Sequence, residues 1–335
     1  MTVPISGQGP LRALPPQSRR VPVGVPAGSS GPRASSLARG GFPESGGTNT
    51  PGSSHSSYSG GSRVGARQLA RLKTSLSDRD RLVLSRIGEH RYLTTAHVQE
   101  FAFTGHASPE SAARVCRRVL ARLDIANLIR PLARRIGGVR AGSSATVWQL
   151  APAGFRLLGD TATDVRCHEP SPRFLSHCLA VADAHLTARR LSERHGIGQV
   201  NVQVEPLSWR RYTGLGGESR WLQPDLYVEI AGTDQEGTFE DRWFVEVDLG
   251  TESHATLLGK CEQYEAYRRS GTEQAHNRTF PRVLWIMHGD RGPERAERLH
   301  HTVLRRSWLI PGMFTVITPD ALTAVLSGDD SGETL

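Results

Sequence analysis

Lysine is nearly absent from this chain: of 41 basic residues only Lys73 and Lys260 are lysine, and the other 39 are arginine. Arginine keeps the charge but cannot supply a compact, titratable ammonium, so each surviving lysine is a candidate for a role arginine cannot fill. Cysteine is scarce too. The four present (Cys116, Cys167, Cys178, Cys261) form no CxxC pair, and neither Cys167-His168 nor His177-Cys178 has metal-finger spacing. With no apolar h-region behind a basic n-region, free thiols in a reducing cytoplasm are expected. No run approaches the roughly 20 apolar residues of a membrane span, which excludes a helical membrane anchor from the reading.

Apolar content is low as well, 37% of 335 residues, and unevenly spread. Residues 1–67 hold 13 Gly, 9 Pro and 13 Ser, so 35 of 67 positions are turn or linker formers, and a disordered basic tail is expected there. The rest divides by charge. Lys plus Arg minus Asp plus Glu is 7 − 1 = +6 for residues 1–67, 15 − 7 = +8 for 68–160 and 19 − 25 = −6 for 161–335. A basic middle segment points to a polyanion, because clustered arginine neutralises phosphates and releases counterions. Carboxylates gathered near phosphates make sense mainly when metal ions bridge the two.

In residues 68–160 Ser77, Thr94 or Thr95, and Ser108-Pro109-Glu110 are start signals for three helices, the third running to about Asn127. On that third helix Ala112, Val115, Cys116, Val119, Leu120 and Leu123 share one side, and Arg114, Arg117, Arg118 and Arg122 the other. A lone helix with such a face is usually just solvated. Here two strands follow, at 128–130 and 146–150, joined by the Gly-rich GGVRAGSS. Three helices and a basic hairpin is the order of a winged helix-turn-helix, in which the third helix enters the major groove of double-stranded DNA and the hairpin, through Arg140, reaches the flanking backbone. A wing that contacts protein is the alternative.

Residues 161–326 read as a mixed sheet with helices in the order α-β-β-β-α-β-α-β-α, followed by a short polar end, 327–335, expected to be disordered. A helix over 171–195 precedes strands around Val200, Leu226 and Val245, with AGTDQEGTFEDR as the loop between the last two. By alternation Asp225, Glu246 and Asp248 lie opposite Leu226, Val228, Val245 and Val247. If the strands pair, three carboxylates crowd one patch, and a divalent metal is the simplest way to settle the repulsion. Acids on a solvated sheet face are the plainer reading. On the next helix, 253–270, Lys260, Gln263, Tyr264 and Tyr267 share one arc, while Leu257, Cys261 and Tyr264 also form an apolar stripe.

The strings QPDLYVEI, FVEVDLGTES and KCEQYEAY resemble those of the replication-relaxation family of actinobacterial plasmids and mobile elements, which joins a winged helix to a PD-(D/E)XK nuclease-like domain. The resemblance spans roughly residues 75–325. It implies Asp225 and Glu246 as metal ligands, a Gln263-to-Tyr267 spacing like the QxxxY helix motif, and Mg²⁺ or Mn²⁺ as the cofactor if the domain is active. Asp248 stands where the pattern has lysine, and Lys260 is the residue able to supply that ammonium from the helix. The expected fold is therefore α/β, an N-terminal winged helix-turn-helix followed by a mixed-sheet PD-(D/E)XK nuclease-like core. The expected catalytic set is Asp225, Glu246, Asp248, Lys260, Gln263 and Tyr267, with the three acids on the metal. The implied function is DNA binding in plasmid replication, relaxation or conjugal transfer, alongside other replication or transfer proteins, with a metal-dependent nicking domain. The alternative is a non-catalytic regulator or accessory factor with a degenerate nuclease fold.

Overall fold

The computed structural model describes residues 21–22, 64–133, 146–159, 169–194, 198–234, 237–310 and 312–328. After a two-residue strand, β1 (Val21–Pro22), come α1 (Ala66–Ser75), α2 (Asp78–His90), β2 (Leu93–Thr94), α3 (Thr95–Ala102), α4 (Pro109–Ile125), β3 (Ile129–Pro131), β4 (Val147–Leu150) and α5 (Pro152–Leu157). The start signals act as their chemistry dictates. Ser77 and Thr94 each close a capping box, and Ser108 accepts from Ser111 N ahead of Pro109. β2, β4 and β3 form a small antiparallel sheet in the order β2-β4-β3. One apolar cluster, including Val83, Ile87, Leu93, Val98, Cys116, Leu120, Leu123 and Ile129, holds these elements together.

Two findings move the N-terminal limit of the folded part back from residue 68. Helix α1 begins at Ala66, and Val64 is buried in the same cluster with its carbonyl accepting from Arg156 Nη1 at 2.8 Å. Apolar periodicity is too short at Val64, Leu69 and Leu72 to stand out from the Gly/Ser-rich sequence before it. Farther back, Val21 and Pro22 pair with Glu240 and Phe239 of the large sheet, so the tail is not wholly apart from the fold.

The C-terminal elements are α6 (Pro172–Arg194), β5 (Gln199–Val204), β6 (Arg210–Thr213), β7 (Ser219–Leu222), β8 (Leu226–Asp234), β9 (Gly237–Asp248), α7 (His254–Arg269), α8 (Thr272–Asn277), β10 (Arg282–Met287), α9 (Gly292–Leu304), β11 (Phe314–Ile317), a 3₁₀ turn at Pro319–Ala321 and α10 (Leu322–Ser327). The large sheet is mixed, in the order β11-β10-β9-β8-β5. β9, β10 and β11 are parallel neighbours, while β8 is antiparallel to both β9 and β5. One face, with Leu226, Val228, Val245, Val247 and Ile286, packs on α6 and α10. The other, with Tyr227, Phe244, Val283 and Trp285, packs on α7, α9 and the β6-β7 hairpin.

The segment read as a loop, residues 231–242, is largely ladder: Ala231 opposes Glu240 and Thr233 opposes Thr238. Phe239 and Trp243 continue the apolar alternation of β9, and Asp241 interrupts it between them. Asp241 is nonetheless buried and meets Arg282 at 3.2 Å, a pairing invisible to a count of apolar residues.

Helix α6 serves both parts of the molecule. Ala182 and Leu186 complete the N-terminal cluster, while Ala180, Val181, Ala184, Ala188 and Leu191 belong to the sheet cluster. A helix apolar on more than one side is buried on more than one side, and the small side chains let it lie close to both. No described helix is long and apolar enough to cross a membrane.

Candidate functional site

The way the chain leads into β8 creates the site. Pro224 has no N–H to give a ladder, and its carbonyl accepts instead from Ser208 Oγ at 2.6 Å. The ladder to β9 begins at Leu226↔Val245, which places Asp225 level with Glu246. Asp225 Oδ2 then accepts the next β9 donor, Val247 N, at 2.8 Å, so the carboxylate extends the ladder by one bond. Asp225 Oδ1 lies 3.0 Å from His177 Nε2 on α6.

Glu246 is 3% exposed. Its Oε1 accepts from the Tyr264 hydroxyl at 2.6 Å and its Oε2 from Lys260 Nζ at 3.3 Å. Lys260 and Tyr264 stand one helical turn apart on α7 and therefore meet the sheet together. Burial, and then the neighbouring Asp225, push the Glu246 carboxyl up to about 7. Lys260 also reaches Glu252 Oε1 at 3.2 Å, and its Nζ lies 5.7 Å from the centre of the Trp285 ring. Burial opposes the charged ammonium, yet Glu246, Glu252 and Asp225 outweigh it and raise the pKa of Lys260. His177 follows the same logic, since burial lowers its pKa and Asp225, with Glu205 and Glu246, raises it by more.

Asp248 occupies the expected face but has different partners. Oδ2 accepts from both Nε and Nη2 of Arg295 on α9, and Oδ1 from Gly250 N at 3.1 Å. Arg295 also donates to Glu252 O at 2.9 Å. Among the described residues, Asp225, Glu246 and Asp248 do not form a set with oxygens all within 4.8 Å of one another. The three-acid cluster is thus drawn apart by a guanidinium from an element that alternation along β9 cannot foresee. Gln263 is exposed, and Tyr267 donates to Glu273 with its ring against Tyr212, so neither reaches Glu246. The helix turns them away: Tyr264, not Tyr267, is the tyrosine on the acid. Tyr264 is also packed with Leu257 and Cys261, so stripe and site coincide there.

Asp225, Glu246, Asp248 and Glu252 bring four carboxyl groups to the site against the fixed charges of Lys260 and Arg295. Among the described residues, Glu252 Oε2 and His288 Nε2 are buried with no hydrogen-bond partner. The His288 ring is near enough to Asp248 and His177 to feel both charges. Hard carboxylate oxygens with residual negative charge are the donor set a divalent cation such as Mg²⁺ or Mn²⁺ prefers.

Arg114, Arg117 and Arg118 line the solvent side of α4, exposed and with no ion pair among the described residues. Arg122 is exposed along its stem, but its guanidinium pairs with Asp80, the buried capping acid of α2. Arg140 lies outside the described residues. His177, Glu252 and Arg295 are participants that spacing did not single out, and Tyr264, placed by spacing on the Lys260 arc, was outside the expected catalytic set. The i, i+4 relation to Lys260 is the signal for Tyr264, whereas His177 lies 48 residues from Asp225 and gives no local signal.

No curated protein and no solved structure matches the chain. A family model described as replication-relaxation matches residues 84–283, more than half of the chain and a span that includes α4, Asp225, Glu246 and Lys260. The chain belongs to the replication-relaxation family, and with it to proteins with a role in replication and relaxation.

Proposed function

We propose that this is a double-stranded-DNA-binding protein of plasmid replication, relaxation or conjugal transfer, with a winged helix-turn-helix over α2–β4 and a PD-(D/E)XK nuclease-like C-terminal sheet that nicks DNA. The observation that carries the second half is the level pairing of Asp225 and Glu246 with Lys260 bonded to Glu246. Asp225 and Glu246 would hold Mg²⁺ or Mn²⁺, which when bound supplies Lewis-acid stabilisation of charge on a phosphodiester. Lys260 restores the ammonium that Asp248 displaces from the sheet, as a fixed donor for the attacking water or the developing charge. Tyr264 and Glu252 hold Glu246 and Lys260 in place, and Asp248 anchors Arg295. On α4, Arg114, Arg117 and Arg118 supply the phosphate contacts, with Arg122 committed to Asp80.

Supercoiled plasmid incubated with the protein and Mn²⁺ should become nicked, E246Q should abolish the reaction, and K260R should retain metal binding but lose nicking. The binding-only reading draws on one observation: both Glu246 oxygens already have donors. It is the reading left standing if wild-type protein binds DNA and its melting temperature ignores millimolar Mn²⁺.

A further inference from the structure

The seam between α2 and α6 buries a pair of histidines. His90 ends α2, His185 lies midway along α6, and they are 3% and 2% exposed. His90 Nε2 faces His185 Nδ1 at 3.0 Å, and the Phe101 ring packs against both imidazoles, with centroids 5.2 and 4.9 Å away. Glu89 stands beside them. Among the described residues this is the one set of three His, Cys, Asp or Glu side chains whose ligand atoms all lie within 4.8 Å of one another.

We infer that Glu89, His90 and His185 form a site for a borderline divalent cation, Zn²⁺ being the type, that clamps the N-terminal helices to α6. Two ring nitrogens bonded to zinc at about 2.0–2.1 Å in tetrahedral geometry are about 3.3 Å apart, close to the separation seen here. Without an ion the same contact is a hydrogen bond between the rings, and among the described residues His90 Nδ1, on the far edge of its ring, is buried with no hydrogen-bond partner.

The surroundings fit a bound cation. Arg86 and Arg189 bring positive charge close by, yet Arg86 Nη1 donates to Glu89 Oε2 at 2.7 Å and Arg189 to the Phe101 carbonyl at 3.2 Å. A guanidinium that orients a ligating carboxylate is an ordinary outer-shell partner. A small cavity touches Glu89 and His90 of this cluster and, on its other side, His177 and Asp225 of the acid site. Two nitrogens and one oxygen favour Zn²⁺ over Mg²⁺, so this site and the acid site select different metals. The inference does not depend on the nuclease reading.

The test is a Co²⁺ titration of untagged, full-length protein, followed by the visible d–d bands of four-coordinate Co²⁺, then displacement by Zn²⁺. The bands should saturate at one equivalent, Zn²⁺ should raise the melting temperature, and the bands should persist in a D225N/E246Q double variant. H185Q should abolish them. Because H185Q alters a buried position, E89Q, at a partly exposed one, is the second variant, and it should weaken binding by about tenfold or more. Wild-type protein with no d–d bands and no thermal response to Zn²⁺ overturns the site, as do bands lost in D225N/E246Q but kept in E89Q.

Discussion

Glu246 concentrates the electrostatic cost of the site in one carboxyl. Its ordinary value is 4.5 and its folded value about 7, so between these the folded state holds a proton that the unfolded state releases. Stability from that group is fully present below the unfolded value and is lost as pH rises through the folded one. In EDTA, E246Q should therefore raise stability more at pH 8 than at pH 5, read from urea unfolding at the two pH values. A gain independent of pH would mean that Glu246 ionises normally. Asp80 behaves oppositely as a mutational site, because it is satisfied on every side: it closes the capping box with Ser77 and takes the Arg122 guanidinium while only 3% exposed. D80A loses the Asp80 half of the capping box and an ion pair with the largely exposed Arg122, and should cost about 1–2 kcal/mol in denaturant unfolding.

At the scale of elements, α4 divides its arginines by task. Replacing Arg114, Arg117 and Arg118 with Gln should leave the melting temperature nearly unchanged and flatten the log-log salt dependence of duplex binding by about 0.9 for each phosphate no longer neutralised. R122Q should do the reverse, lowering stability through Asp80 with a smaller effect on the slope. Equal effects from both variants would remove the distinction. Helix α5 offers a steric test: a Cβ built on Gly154 would lie 2.2 Å from the Leu128 carbonyl oxygen, a backbone atom that cannot swing aside. G154A should destabilise by about 1–3 kcal/mol by overpacking, read from the urea midpoint. These elements were legible where the signal is local. Caps at Ser77, Thr94 and Ser108, and the apolar stripe of α4, need only neighbours within one or two turns. The β6-β7 hairpin and the early part of β9 were not legible, because Gly-rich turns and Asp241 break alternation that the ladder restores.

For the whole molecule, the N-terminal helical cluster takes in Val64, and α1 starts at Ala66, both ahead of Gln68. A chain starting at Arg63 should unfold as cooperatively as the full one, whereas a start at Gln68 removes Val64 and the first turn of α1 and should lower the melting temperature. Equal melting temperatures for the two truncations would show that Val64 contributes nothing. The sequence by itself determined the start of each capped helix, the alternation that puts Asp225, Glu246 and Asp248 on one face, and the lone lysine of the C-terminal region. All of these depend on the 2-residue and 3.6-residue periods of the backbone. Only the tertiary structure decided that Arg295 takes Asp248, that His177 reaches Asp225, and that His90 meets His185 across 95 residues of chain. Such pairs are fixed by how helices seat on the sheet and on each other, and packing at that range leaves no period in the sequence to read.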